Sequence, residues 1–198
     1  MAEDRPTWRA EVFGHQLRQP DQRSCGATVL VVAKLLTDPS YGRFVATPDA
    51  FREEVLAMHR RVTSLADVRG RLQLPWPRAL GTPPWALAHQ LEGSTGVEHG
   101  IRFLLEERET AYDDMVAATR HRRPVPLYVG NRWLPRHVVL VLGEVEHALR
   151  IYEPARGWLV DVSRASFLAG TLELTGWDTP WFAVEPDLTK RLPSHRSG

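Results

Sequence analysis

The chain has 198 residues, 43% of them hydrophobic, and a formal net charge of +1. That size and composition suit one domain with a real core, and the near-neutral balance makes no electrostatic case for nucleic acid or an anionic membrane surface. A single cysteine excludes an internal disulfide framework and any multi-cysteine zinc site.

The opening MAEDRPTWRAEVFGHQ has no apolar run of the signal-peptide kind, and no stretch reaches transmembrane length. A reducing, cytoplasmic setting is expected, with signal-independent export left open. Residues 1–14 read as an N-terminal extension. CGATVLVVAKLL reads as a buried helix, with Ser24 as N-cap and Thr37-Asp38-Pro39 as stop. TPDAFREEVLAMHRRV has Thr47 as cap, Pro48 in the first turn, and Phe51, Val55 and Leu56 on one face, which predicts an amphipathic helix. TPPWALAHQLEG repeats the device with Thr82, Pro83 and a stop at Gly93. ETAYDDMVAATRHRR carries acids early and bases late, as a helix dipole prefers.

After Arg123 the pattern changes. PVPLYVG, HVVLVLG, ALRIYEP, GWLVDVS and WFAVEP are short apolar runs parted by Gly, Pro and charges, and read as mostly antiparallel strands. The expected fold is α+β, with a helical half followed by a sheet and a site in the cleft between them. The domain is expected over 15–186, with 187–198 a disordered tail.

Cys25 stands in the first turn of its helix, where backbone N–H groups and the dipole favour a thiolate. Gly26 follows and leaves room for another chain to approach. The polar QPDQRS before it turns the sulfur toward solvent on this reading. A lone cysteine is otherwise most often a small buried hydrophobe. His137 opens HVVLVLG. If that strand and HALRIYE form a hairpin turning at Val145, then Val141 faces Leu149, Val139 faces Ile151 and His137 faces Glu153. Opposed residues point to the same side, so the sheet face would end in a His–Glu pair. A carboxylate on one imidazole nitrogen fixes the tautomer and stabilises the cation. Trp133 and Trp158 flank this pair and are candidates to line a substrate groove. His89, His99 and His121 lack metal-ligand spacing and read as structural or surface residues.

These residues resemble a known family. Gln19 and Cys25-Gly26 form a Q-x5-C-G motif, and His137 lies 16 residues before Glu153-Pro154 in HVVLVLGEVEHALRIYEP. Arg123-Pro124-Val125 precedes the histidine strand and YEPARGWLVDVSRASF follows it. The pattern resembles the papain-like cysteine peptidases of the double-glycine leader, bacteriocin-processing type, over about residues 15–185. Ser24 departs from the common Asp, and Glu153 from the usual Asp. The resemblance implies a papain-like fold, its nucleophile helix packed on a C-terminal antiparallel sheet. It also implies Cys25 as nucleophile, His137 as base and acid, Glu153 as its orienter, and Gln19 with the Cys25 backbone N–H as oxyanion donors. No metal or other cofactor is required, and the partner is a peptide or protein substrate. Alternatives are acyl transfer or deamidation by the same triad, a papain-fold binding module with a weak site, and an unrelated α+β domain with a buried thiol.

Overall fold

The computed structural model describes residues 17–74 and 81–191. Helix α1 spans Cys25–Thr37, followed by a 3-10 turn over Pro39–Phe44, α2 over Pro48–Val62 and α3 over Pro84–Thr95. Strand β1 (Val97–Phe103) comes next, then α4 (Arg108–Arg120). Four strands follow: β2 (Val125–Gly130), β3 (Pro135–Val145), β4 (Ala148–Glu153) and β5 (Trp158–Ser163). Helix α5 (Arg164–Ala169) and β6 (Thr179–Arg191) complete the described chain. The strands form one antiparallel sheet in the order β1-β6-β2-β3-β4-β5.

The α+β class stands, but the two halves are not segregated. β1 lies between two helices in the chain and pairs with β6 at the sheet edge. Helices cover both faces. One core joins α1, α2 and α3 to Tyr128, Val138, Leu140, Leu142 and Tyr152; the other joins α4 and α5 to Leu127, Val129, Val139, Val141, Leu149 and Ile151. The period-2 alternation of side chains sends each strand's residues to the two cores in turn. This explains why HVVLVLG is apolar at both parities.

α2 forms as its sequence dictates: Thr47 Oγ1 accepts from the Ala50 N–H at 3.2 Å, and Phe51, Val55, Met58 and Val62 are buried. α3 runs past its expected stop. Gly93 lies inside it, where a Cβ would come within 2.5 Å of Val68 Cγ1, and the helix ends at Gly96 with φ of 67°. Gly93 serves close packing, and Gly96 supplies the left-handed cap. β6 continues to Arg191, paired with Val97, into the stretch expected to be a tail. Residues 1–16 and 192–198, with all of the expected extension and most of the expected tail, lie outside the described residues. No described helix is long and apolar enough to cross a membrane.

The β3–β4 hairpin turns at Glu146-His147, both with positive φ (51° and 62°), not at Val145. Two such residues make the twist that a tight hairpin needs. The register therefore differs from the expectation. Val141 faces Ile151 and Leu140 faces Tyr152, with an irregularity between Val141 and Gly143. Continuing this register puts Val139 opposite Glu153, and His137 diagonal to it. The displacement is by two residues, so the face is unchanged.

Candidate active site

α1 begins where its sequence changes from polar to apolar. The Thr28 N–H bonds back to Ser24 O at 2.8 Å, the first helical bond. Ser24 does not cap the helix with its side chain; its hydroxyl donates to Asp21 O at 3.2 Å. The Ser24 side chain therefore leaves the first-turn N–H groups, among them that of Cys25, uncapped. Behind this turn the helix is anchored in the core by Val29, Val31 and Val32, all buried. It packs on α2, α3 and β3.

Cys25 is only 5% exposed, so the expected solvent-facing sulfur is instead covered. The next residue, Gly26, is closely packed as well. Its open side is filled by Thr82 from the loop entering α3: a Cβ on Gly26 would sit 2.6 Å from Thr82 Cβ. Gly26 thus admits a neighbouring loop of this chain rather than an incoming one. Tyr128 on β2 pins that loop, its hydroxyl donating to Thr82 O at 2.9 Å. Tyr128 is buried, and desolvation together with the nearby Cys25 pushes its phenol well above the ordinary range. Gly26→Ala is therefore expected to lower stability by about 1–3 kcal/mol, because neither Thr82 Cβ nor the carbonyl held by Tyr128 can retreat freely. Urea denaturation measures this, and an unchanged midpoint would contradict the packing described.

His137 and Glu153 meet as the sequence suggests, although by a diagonal. His137 Nε2 lies 2.7 Å from Glu153 Oε1, with the two side chains 6% and 1% exposed. Diagonal neighbours on a sheet stand roughly 7–8 Å apart, and the extra methylene of Glu over Asp suits that span. The other ring nitrogen, Nδ1, is not engaged by Glu153, and Cys25 is close enough for its sulfur to act on the imidazole electrostatically. Glu153 Oε1 also accepts from the Ala155 N–H at 2.8 Å, and Oε2 accepts from the Thr175 hydroxyl. Burial raises the Glu153 carboxyl, but hydrogen bonding and attraction to His137, then Thr175 and Ala155, hold it below its ordinary value. Burial likewise opposes the His137 cation. Hydrogen bonds to Cys25 and Glu153, and their charges, outweigh it and push the imidazole up to about 9.

The pH dependence of stability follows from these directions. A histidine whose folded pKa lies above the unfolded 6.5 stabilises the fold fully below 6.5. That contribution is lost as pH rises through about 9. The depressed Glu153 contributes above the ordinary carboxylate range and fades as pH falls through its lowered folded value. The urea midpoint is therefore expected to fall between pH 6.5 and 9, and to fall less in His137→Gln. Equal slopes in the two proteins would contradict the coupling.

Gln19 is strapped beside Glu153. Its N–H donates to Pro154 O at 2.9 Å, the Arg18 Nε donates to Ala155 O at 2.8 Å, and Tyr152 donates to Leu17 O. The Gln19 side-chain Nε2 donates to Asp21 O at 2.8 Å, while its Oε1 is buried with no hydrogen-bond partner among the described residues. Trp133 and Trp158 are 68% and 50% exposed. Trp133 lies in the loop leading to His137, where Asn131 Oδ1 accepts from the Trp133 and Leu134 N–H groups at 2.9 and 3.0 Å. Trp158 faces Glu153 across β4–β5. Guanidinium groups stack on both rings, Arg132 at 4.4 Å and Arg156 at 5.4 Å. Both tryptophans thus stand at the sheet end that carries the His–Glu pair.

Sequence reasoning missed Thr82, Tyr128 and Thr175. Only the last had a local signal, the Thr175-Gly176 pair, which reads as a tight turn.

No protein-family model matches the chain, and no curated protein does. Among solved structures the chain is similar to a crystal structure from Bacillus anthracis that carries the provisional description of a C39-like peptidase. The TM-score is 0.53 and the identity 11%, over 93% of this chain and 97% of that one. The likeness shows the fold alone: helices packed on a six-stranded antiparallel sheet.

Proposed function

We propose that the protein is a cysteine peptidase-like hydrolase that opens a peptide or amide bond through a covalent thioester. The observation that carries this reading is the buried His137–Glu153 pair, whose 2.7 Å Nε2–Oε1 contact fixes the ring, with the buried Cys25 sulfur acting on the same imidazole. Glu153 holds the proton on Nε2 and aims Nδ1 at the sulfur. His137, whose imidazole is pushed up to about 9, takes the Cys25 proton and pairs with the thiolate so formed at the helix start. The thiolate attacks the carbonyl carbon. The oxyanion is held by the Cys25 backbone N–H and by Gln19 Nε2, which has a second N–H beyond the one given to Asp21. His137 passes its proton to the leaving amine, then takes one from water as the water opens the thioester. Trp133 and Trp158 bound the groove on either side of the His–Glu pair. The fold likeness supports this reading.

Incubation with a peptide library and mass spectrometry tests it. Internal cleavage, blocked by stoichiometric alkylation of Cys25, is the expected result. Release of ammonia without cleavage would assign the same triad to deamidation, and amine-dependent products would assign it to acyl transfer. Cleavage that survives complete alkylation would overturn the reading.

A further inference from the structure

We propose that Thr175 is a positioning residue: its hydroxyl holds Glu153 Oε2, fixing the carboxylate plane so that Oε1 stays on His137. The catalytic consequence rests on the function proposed above; the hydrogen bond and its effect on Glu153 do not. Two donors, His137 Nε2 and the Ala155 N–H, converge on Oε1, and among the described residues Oε2 accepts from Thr175. A carboxylate held on one oxygen alone turns about its terminal bond, and that turn would swing Oε1 away from the imidazole. Thr175 itself is exposed while Glu153 is 1% exposed, so the threonine also stands between the buried carboxylate and water.

The backbone supports the same assignment. Thr175 has φ of 51°, a left-handed conformation that a β-branched residue adopts at a cost. It occupies a two-residue turn with Gly176 (φ 87°), closed by Leu174 N to Trp177 O at 2.9 Å and Trp177 N to Leu174 O at 2.8 Å. Asn or Gly would fit that turn without strain. The turn is fastened on both sides: Leu174 is buried in the core under α4 and α5, and the Asp178 N–H donates to Gly130 O at 3.1 Å. Gly130 ends β2 beside the loop that leads to His137. The surroundings thus impose a strained conformation on a threonine and set its hydroxyl on the carboxylate.

The test compares Thr175→Gly, which relieves the backbone and removes the hydroxyl, with Thr175→Ser, which keeps it. In a Cys25→Ala background, carbon-13 NMR of the glutamate carboxyls reads Glu153 without any need for turnover. The Gly variant is expected to raise the Glu153 titration midpoint by about one pH unit, since a donor to the charged form is lost. The Ser variant is expected to restore it. With Cys25 present, the Gly variant should lose roughly 3–10-fold in kcat with KM unchanged, the scale of one hydrogen bond, and Ser should recover most of it. An unmoved Glu153 midpoint in the Gly variant overturns the proposal, as does a Ser variant that shifts as far as Gly. If turnover proves independent of Cys25, the proposed function fails, while the NMR comparison still decides the role of Thr175.

Discussion

Cys25→Ala is expected to remove amide hydrolysis almost entirely, with a loss on the order of 10⁶ in kcat. The size follows from the chemistry: no other thiol exists in the chain to form a thioester. His137 without a nucleophile leaves only binding and oxyanion stabilisation. Alanine fits the site, because it is smaller than the buried cysteine it replaces and favours the helix. Folding should therefore persist, and thermal denaturation beside the peptide assay separates lost chemistry from lost structure. A folded Cys25→Ala protein that keeps its rate would contradict the mechanism at its first step.

Glu153→Gln is expected to lower kcat/KM by up to about 10⁴-fold, the scale seen when an orienting carboxylate becomes an amide. Three donors converge on this carboxylate: His137 Nε2, the Ala155 N–H and the Thr175 hydroxyl. An amide keeps one acceptor oxygen and adds a donor. If its oxygen stays with Ala155 and His137, Thr175 must reverse its hydrogen bond. If the amide turns, its NH₂ meets Nε2 and forces the wrong tautomer. The negative charge that sustains the His137 cation is gone in either arrangement. Stability should fall too, by about 1.5–3 kcal/mol, the usual contribution of a hydrogen bond to a charged group. Glu153→Asp is a sharper probe of geometry. A shorter side chain on the diagonal cannot reach His137 while keeping Ala155 and Thr175, so its rate should lie between those of the wild type and Glu153→Gln. Steady-state kinetics of the two variants checks this, and an Asp variant as fast as wild type would remove the diagonal argument.

Parts of the site were legible because they rest on local chemistry. The break from QPDQRS to an apolar run marks the start of α1 whatever packs around it. The even spacing of His137 and Glu153 on successive strands keeps them on one face despite a register displaced by two. An odd displacement would have separated them. What escaped the sequence depends on tertiary neighbours. Gly26 reads as an opening for substrate until Thr82 is placed against it, and Gly93 reads as a stop until Val68 is. β1, VEHGIRF, carries little periodic signal because its pattern of burial is irregular and it lies at a sheet edge. It is a strand because β6 offers it a partner. Thr175 reaches Glu153 only through a turn some twenty residues later in the chain, and nothing in LELTGW announces that contact.

In the proposed mechanism Cys25, His137 and Glu153 act as one coupled unit. The most direct measurement is the NMR titration of the His137 imidazole in the wild type and in Cys25→Ala. His137 is expected to stay protonated up to about pH 9 in the wild type and to titrate distinctly lower once the sulfur is removed. A His137 that titrates near 6.5 in the wild type, and does not move in Cys25→Ala, would contradict it.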